Sequence, residues 1–203
     1  MTADEVLALY GDGIESVVTV VHGRSARDWQ RVACGNWSGK QVAAHLLCVV
    51  RWYHEWLDRA LVGETNPPFS VEDLAAQNEQ ALAEIEPASP TGRIAQFQAE
   101  AERYARRLPD CWDLQYGYPY GTVTAGLHAG VAAAEWHLHA WDLATATGAD
   151  CRPRDPGALF SVTAACMLTA SGGLPARMGI PMSSVLAWRD PWGQLLRRSG
   201  RRR

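Results

Sequence analysis

The chain has 203 residues, 47% of them hydrophobic and 20% charged, which suits one ordinary domain with a real core and argues against disorder. A formal net charge of -3 supplies no global field for nucleic acid or an anionic membrane, so neither is an expected partner. The N-terminal stretch has no basic region followed by an apolar one, and no apolar run reaches the ~18 residues of a membrane span, so a cytoplasmic protein is expected. Cys34, Cys48, Cys111, Cys151 and Cys166 show no paired spacing and read as free thiols.

In chain order, Val6, Leu7, Leu9, Ile14, Val17, Val18 and Val21 recur at helical spacing and predict a first helix from Ala3 to about Val21, with Gly11 and Gly13 as points of distortion. After a loop through Gly35-Asn36-Trp37, Ser38 stands three residues before Gln41, a capping box that opens a second helix running to about Leu61. Asn66-Pro67-Pro68 breaks the chain, Ser70 and Asp73 start a third helix from Val71 to about Ile85, and Ser89-Pro90 starts a fourth to about Leu108. Trp112 to Gly121 reads as a loop rich in Tyr and Gly. A long Ala-rich helix follows, Thr122 to Thr147, with Gly148 where a left-handed cap belongs. A further helix covers Pro156 to Ser171. An irregular stretch with Pro175, Pro181 and Pro191 then leads to a short turn around Trp192 to Leu196 and a terminal Arg run that reads as a solvated tail. No period-two strand pattern stands out. The expected fold is all-α: an antiparallel four-helix bundle over residues 1–150, with a C-terminal helix and tail, residues 151–203, packed on the same domain.

Glu135 and His139 lie four residues apart on the long helix and therefore share one face, with Cβ atoms about 6 Å apart. His137 faces elsewhere. Such a pair is common as an ordinary polar contact, but Glu135 stands among Ala132, Ala133, Ala134 and Trp136, where an unpaired carboxylate is costly to bury. A divalent ion would neutralise that cost. His45, in the apolar stretch Val42-Ala43-Ala44-His45-Leu46-Leu47, is the candidate third ligand, since bundle metal sites draw inward side chains from facing helices. Two His and one carboxylate leave zinc an open fourth position, although nickel or iron also accept such donors. On the same helix faces, Cys48, Trp52 and His128 are candidate substrate contacts, with packing as the alternative for each. Asp142 is a candidate acceptor that orients a ligand imidazole. The Tyr116-Gly117-Tyr118-Pro119-Tyr120-Gly121 loop precedes the metal helix and is placed to overhang the site.

Two stretches resemble the DinB-like metalloenzymes, in particular the mycothiol-dependent maleylpyruvate isomerase-type branch of actinobacteria. They are Trp37-Ser38-Gly39-Lys40-Gln41-Val42-Ala43-Ala44-His45-Leu46 and Glu135-Trp136-His137-Leu138-His139-Ala140-Trp141-Asp142-Leu143-Ala144. The resemblance covers roughly residues 1 to 150 and places His45, Glu135 and His139 on the family's three metal ligands. It implies a four-helix bundle and a mycothiol co-substrate whose thiol attacks a small electrophile, giving a transferase or isomerase. About fifty residues follow Gly148, too few for the second domain of the two-domain isomerases, and the Arg189-Asp190-Pro191-Trp192-Gly193-Gln194-Leu195-Leu196 ending resembles single-domain relatives instead. A thiol-independent hydrolase or cyclase, or a non-catalytic metal-binding stress protein, remains open beside that reading, as does a monomer or a homodimer. The H-E-x-x-H order of metalloproteases is absent.

Overall fold

The computed structural model describes residues 1–170 and 190–201. Helix α1 (Ala3–Val21) is followed by the one-turn α2 (Ala26–Trp29) and a small antiparallel pair, β1 (Val32–Cys34) and β2 (Trp37–Ser38). Then come α3 (Gly39–Leu61), α4 (Leu74–Glu84) and α5 (Pro90–Cys111). A hairpin of β3 (Gln115–Tyr118) and β4 (Gly121–Thr124) leads into α6 (Ala125–Thr145), and α7 (Pro156–Ala170) and α8 (Pro191–Arg198) complete the described chain.

Helices α1, α3, α5 and α6 make the all-α four-helix bundle expected from the sequence. Their directions follow from which side chains meet. On α3 and α5, His54 meets Glu100 while Asp58 meets Arg107, so residue numbers rise together and the two helices run parallel. On α3 and α6, Tyr53 meets Glu135 while His45 meets His139, so these two run antiparallel. Tyr10 packs on Trp136 and Arg24 reaches the Leu143 carbonyl, so α1 runs with α6. The bundle is thus up, down, down, up. Parallel neighbours need a long return, and the segment carrying α4 supplies it, with Phe69 against Trp56 and Ala81 against Cys48 on its way back along α3.

Local signals set the helix starts. The Gln41 side chain accepts the Ser38 backbone N–H at 3.0 Å, which completes the capping box of α3. Helix α6 begins at Ala125 and not at Thr122, because residues 122–124 belong to β4 and Thr124 caps the helix by accepting the Leu127 N–H at 3.3 Å. Gly148 has φ +79° and closes α6 in the left-handed region, as expected.

Other features also differ from the sequence reading. The Tyr- and Gly-rich stretch is an antiparallel hairpin in register Gln115↔Thr124 and Tyr118↔Gly121, and the chain before α3 forms a second one. Strands of two to four residues are too short to display a period of two. Neither Gly11 nor Gly13 breaks α1, which is continuous from Ala3 to Val21. A Cβ at Gly13 would stand 2.8 Å from Trp136 Cβ, so that glycine lets α1 approach α6 closely. That central helix is buried on nearly every side, and its alanines 129, 132, 133, 134, 140 and 144 leave room for α1 on one flank and α7 on the other. Helix α8 packs in turn on α7. The irregular stretch expected around Pro175 and Pro181 lies outside the described residues. Among the described residues, no helix is long and apolar enough to cross a membrane.

Candidate metal centre

Because α3 and α6 run antiparallel, the middle of one faces the middle of the other. His45 on α3 and Glu135 and His139 on α6 converge there, with one potential ligand atom from each lying within 4.8 Å of the others. His45 Nε2 is 3.4 Å from Glu135 Oε1, and His139 Nε2 is 4.0 Å from the same oxygen. The two imidazoles meet edge to face, with ring centroids 4.9 Å apart.

These donors fit a divalent ion. Ligand bonds of about 2.0–2.1 Å in a tetrahedron place neighbouring donors about 3.3 Å apart. The first spacing has that value and the second is wider by less than an ångström. The free valences also point the right way. His139 donates from Nδ1 to Asp142 Oδ2 at 2.9 Å, which leaves the Nε2 lone pair facing Glu135. Tyr53 donates its hydroxyl to Glu135 Oε2 at 2.5 Å, which leaves Oε1 for the cluster. An ion there would be held by His45, Glu135 and His139 and would supply a Lewis-acidic open position.

The electrostatics agree with a carboxylate kept ionised. Burial pushes Glu135 upward, but the hydrogen bond from His45, the nearby His45 and His139 rings and the Tyr53 hydroxyl outweigh it, and its pKa falls to about 2. Burial holds His139 below the ordinary imidazole value despite its bond to Asp142. Asp142 is 1% exposed; burial alone would raise its pKa, but the bonds from His139 and Arg201 keep it low.

Glu135 and His139 line a cavity of about 670 Å³. Its walls are largely apolar, with Val131, Leu138, Phe160 and Met167, and Tyr118 and Tyr120 of the β3–β4 hairpin border it as well. Arg197 and Arg198 of α8 also line it, the latter over the Phe160 ring at 5.9 Å from its centroid.

Cys48, Trp52 and His128 are not among the lining residues. Cys48 directs its Sγ to the Ala81 carbonyl on α4, 3.6 Å away. Trp52 stacks on Trp56 with centroids 6.2 Å apart and abuts Phe69. His128 is 0% exposed, enclosed by Tyr53, Trp56, Tyr116 and Tyr118, and neither ring nitrogen has a hydrogen-bond partner. The sequence reading missed Tyr53 and Arg201. Tyr53 lies eight residues after His45, two turns along the same side of α3, and that spacing was its available signal. Arg201 is not solvated as expected of the tail. Its side chain is 13% exposed and bonds Asp142.

These features define a class: a helical bundle that gathers two imidazoles and a carboxylate from facing helices beside a largely apolar cavity. The family model for the mycothiol maleylpyruvate isomerase N-terminal domain matches residues 11–144, more than half of the chain, and the chain belongs to that family. No curated protein and no solved structure matches the chain.

Proposed function

We infer that the protein is a metal-dependent enzyme that uses mycothiol, or a similar small thiol, as nucleophile or co-substrate against a small electrophile, as an S-transferase or isomerase. The observation that carries this reading is the convergence of His45 Nε2, Glu135 Oε1 and His139 Nε2 beside a cavity that Glu135 and His139 line. Family membership supports the thiol. His45, Glu135 and His139 would hold a divalent ion, zinc in the first instance, and such an ion would supply the Lewis acidity that makes a thiol nucleophilic at neutral pH.

The chain's own residues do the rest. Asp142 holds the His139 ring with Nε2 toward the centre, and Tyr53 holds Glu135 by its outer oxygen. The apolar walls limit water around the reacting atoms. The cavity suits a substrate with an apolar body, and Arg197 and Arg198 among its lining suit an anionic group on it. Protein reconstituted with zinc should convert an electrophile such as a maleyl or epoxide compound only when mycothiol is present, consuming the thiol if it is a transferase and returning it if it is an isomerase, and a chelator should stop it. Chelator-sensitive turnover that proceeds equally well without any thiol would favour a hydrolase or cyclase instead. Absence of zinc binding would reject both.

A further inference from the structure

Helix α8 ends with Ser199 as its cap residue and Gly200 at φ +80°. Gly200 donates its N–H to the Arg197 carbonyl at 3.1 Å, and Arg201 donates its N–H to the Leu196 carbonyl at 2.8 Å. This pair of bonds is a Schellman cap, which turns the chain sharply at the end of a helix. Trp192, Leu195 and Leu196 are buried and anchor α8, so the turn has a fixed base. The turn carries Arg201 onto α6.

There the guanidinium grips one carboxylate with two donors. Nε donates to Asp142 Oδ1 at 2.7 Å and a terminal nitrogen donates to Oδ2 at 2.5 Å. The same terminal nitrogen also reaches Cys34 Sγ at 3.6 Å. Cys34, His139 and Asp142 are close enough together to form a metal-ligating trio of their own, but a guanidinium already stands among them. It makes that trio a support and not a second ion site.

We propose that Arg201 is a positioning residue for the His139 imidazole, so that the C-terminal segment is a working part of the metal centre. The inference rests on the reading of that centre as metal-binding. A buried arginine–carboxylate pair adds little net stability compared with apolar packing, so stability alone is a weak reason for one here. The planar fork does something that packing cannot. By engaging both oxygens it fixes the plane of the Asp142 carboxylate, and Oδ2 in turn fixes the ring of His139. A lysine has the charge but not the fork.

The test is a cobalt(II) titration of metal-free protein, read by visible absorption, on the wild type, Arg201→Gln and Arg201→Lys. Circular dichroism and melting in chelator report whether each variant is folded. Arg201→Gln should bind cobalt about 10–100-fold more weakly, with a shifted ligand-field spectrum, and Arg201→Lys should also bind more weakly than the wild type. Should Arg201→Gln fail to fold, Arg201→Lys decides the matter, because it keeps a cation beside Asp142 and removes only the bidentate geometry. Unchanged affinity and spectrum in a folded variant, with the wild type binding normally, overturns the positioning role and leaves the metal reading intact. If the wild type itself takes up no cobalt, the metal reading fails and this inference fails with it.

Discussion

Replacing His128 by phenylalanine should flatten the acid dependence of stability. His128 sits fully buried between four aromatic side chains, and burial drives its pKa from 6.5 down to about 3, only partly opposed by the Glu135 charge. In the unfolded chain the same ring titrates near 6.5. Above pH 6.5 both states hold it neutral and its contribution is fully present. As pH falls below 6.5 the unfolded state takes up a proton that the native state refuses, so stability drains away until the native ring titrates near pH 3. Between pH 7 and pH 5 the loss from this one residue is about 2 kcal/mol, or about 4–8 °C in melting temperature for a chain of this size. Phenylalanine keeps the aromatic contacts, and no hydrogen-bond partner of His128 is left behind, because neither nitrogen has one. The assay is urea or thermal unfolding of both proteins at several pH values from 7.5 to 5. Curves for the wild type and His128→Phe that stay parallel across that range would refute the argument.

Other expectations concern the metal and the packing. Zinc at a hundredfold excess over its dissociation constant should stabilise the protein by about 2.7 kcal/mol, a rise of about 5–11 °C in melting temperature. Glu135→Gln, His45→Ala or His139→Ala should abolish that rise, as scanning calorimetry with and without chelator would show. Tyr53→Phe removes the donor to Glu135 Oε2 but keeps the ring in the core, and it should weaken zinc binding about tenfold in competition with a chromogenic chelator. Gly13→Val should cost about 1–3 kcal/mol, because its Cβ would press on Trp136 and the Ala133 carbonyl. Gly11→Ala, with open space around it, should instead stabilise by about 0.5–1 kcal/mol in the same chemical denaturation series.

Much of the fold was readable along the chain. The Ser38–Gln41 box, Ser89-Pro90 and Gly148 mark helix ends through contacts within a few residues, and such contacts form wherever the rest of the chain goes. The Glu135–His139 pair was legible for the same reason, since a helix fixes which side chains share a face. The short hairpins escaped notice because their strands do not last long enough to alternate visibly. Helix order and direction were a matter of tertiary structure. They set His45 opposite His139 and Tyr53 opposite Glu135, across 94 and 82 residues of chain (139 - 45 and 135 - 53). The Arg201–Asp142 pair needed still more. The Schellman turn is local, and Gly200 after an amphipathic run was its one visible sign, but what the turned residue touches depends on where α7 and α8 pack. Sequence therefore determined the helices and the chemical character of the donors, because both depend on neighbouring residues. Only the tertiary structure decided which donors meet, which of their atoms are already engaged, and that Arg201 meets Asp142, because those contacts depend on how distant segments pack.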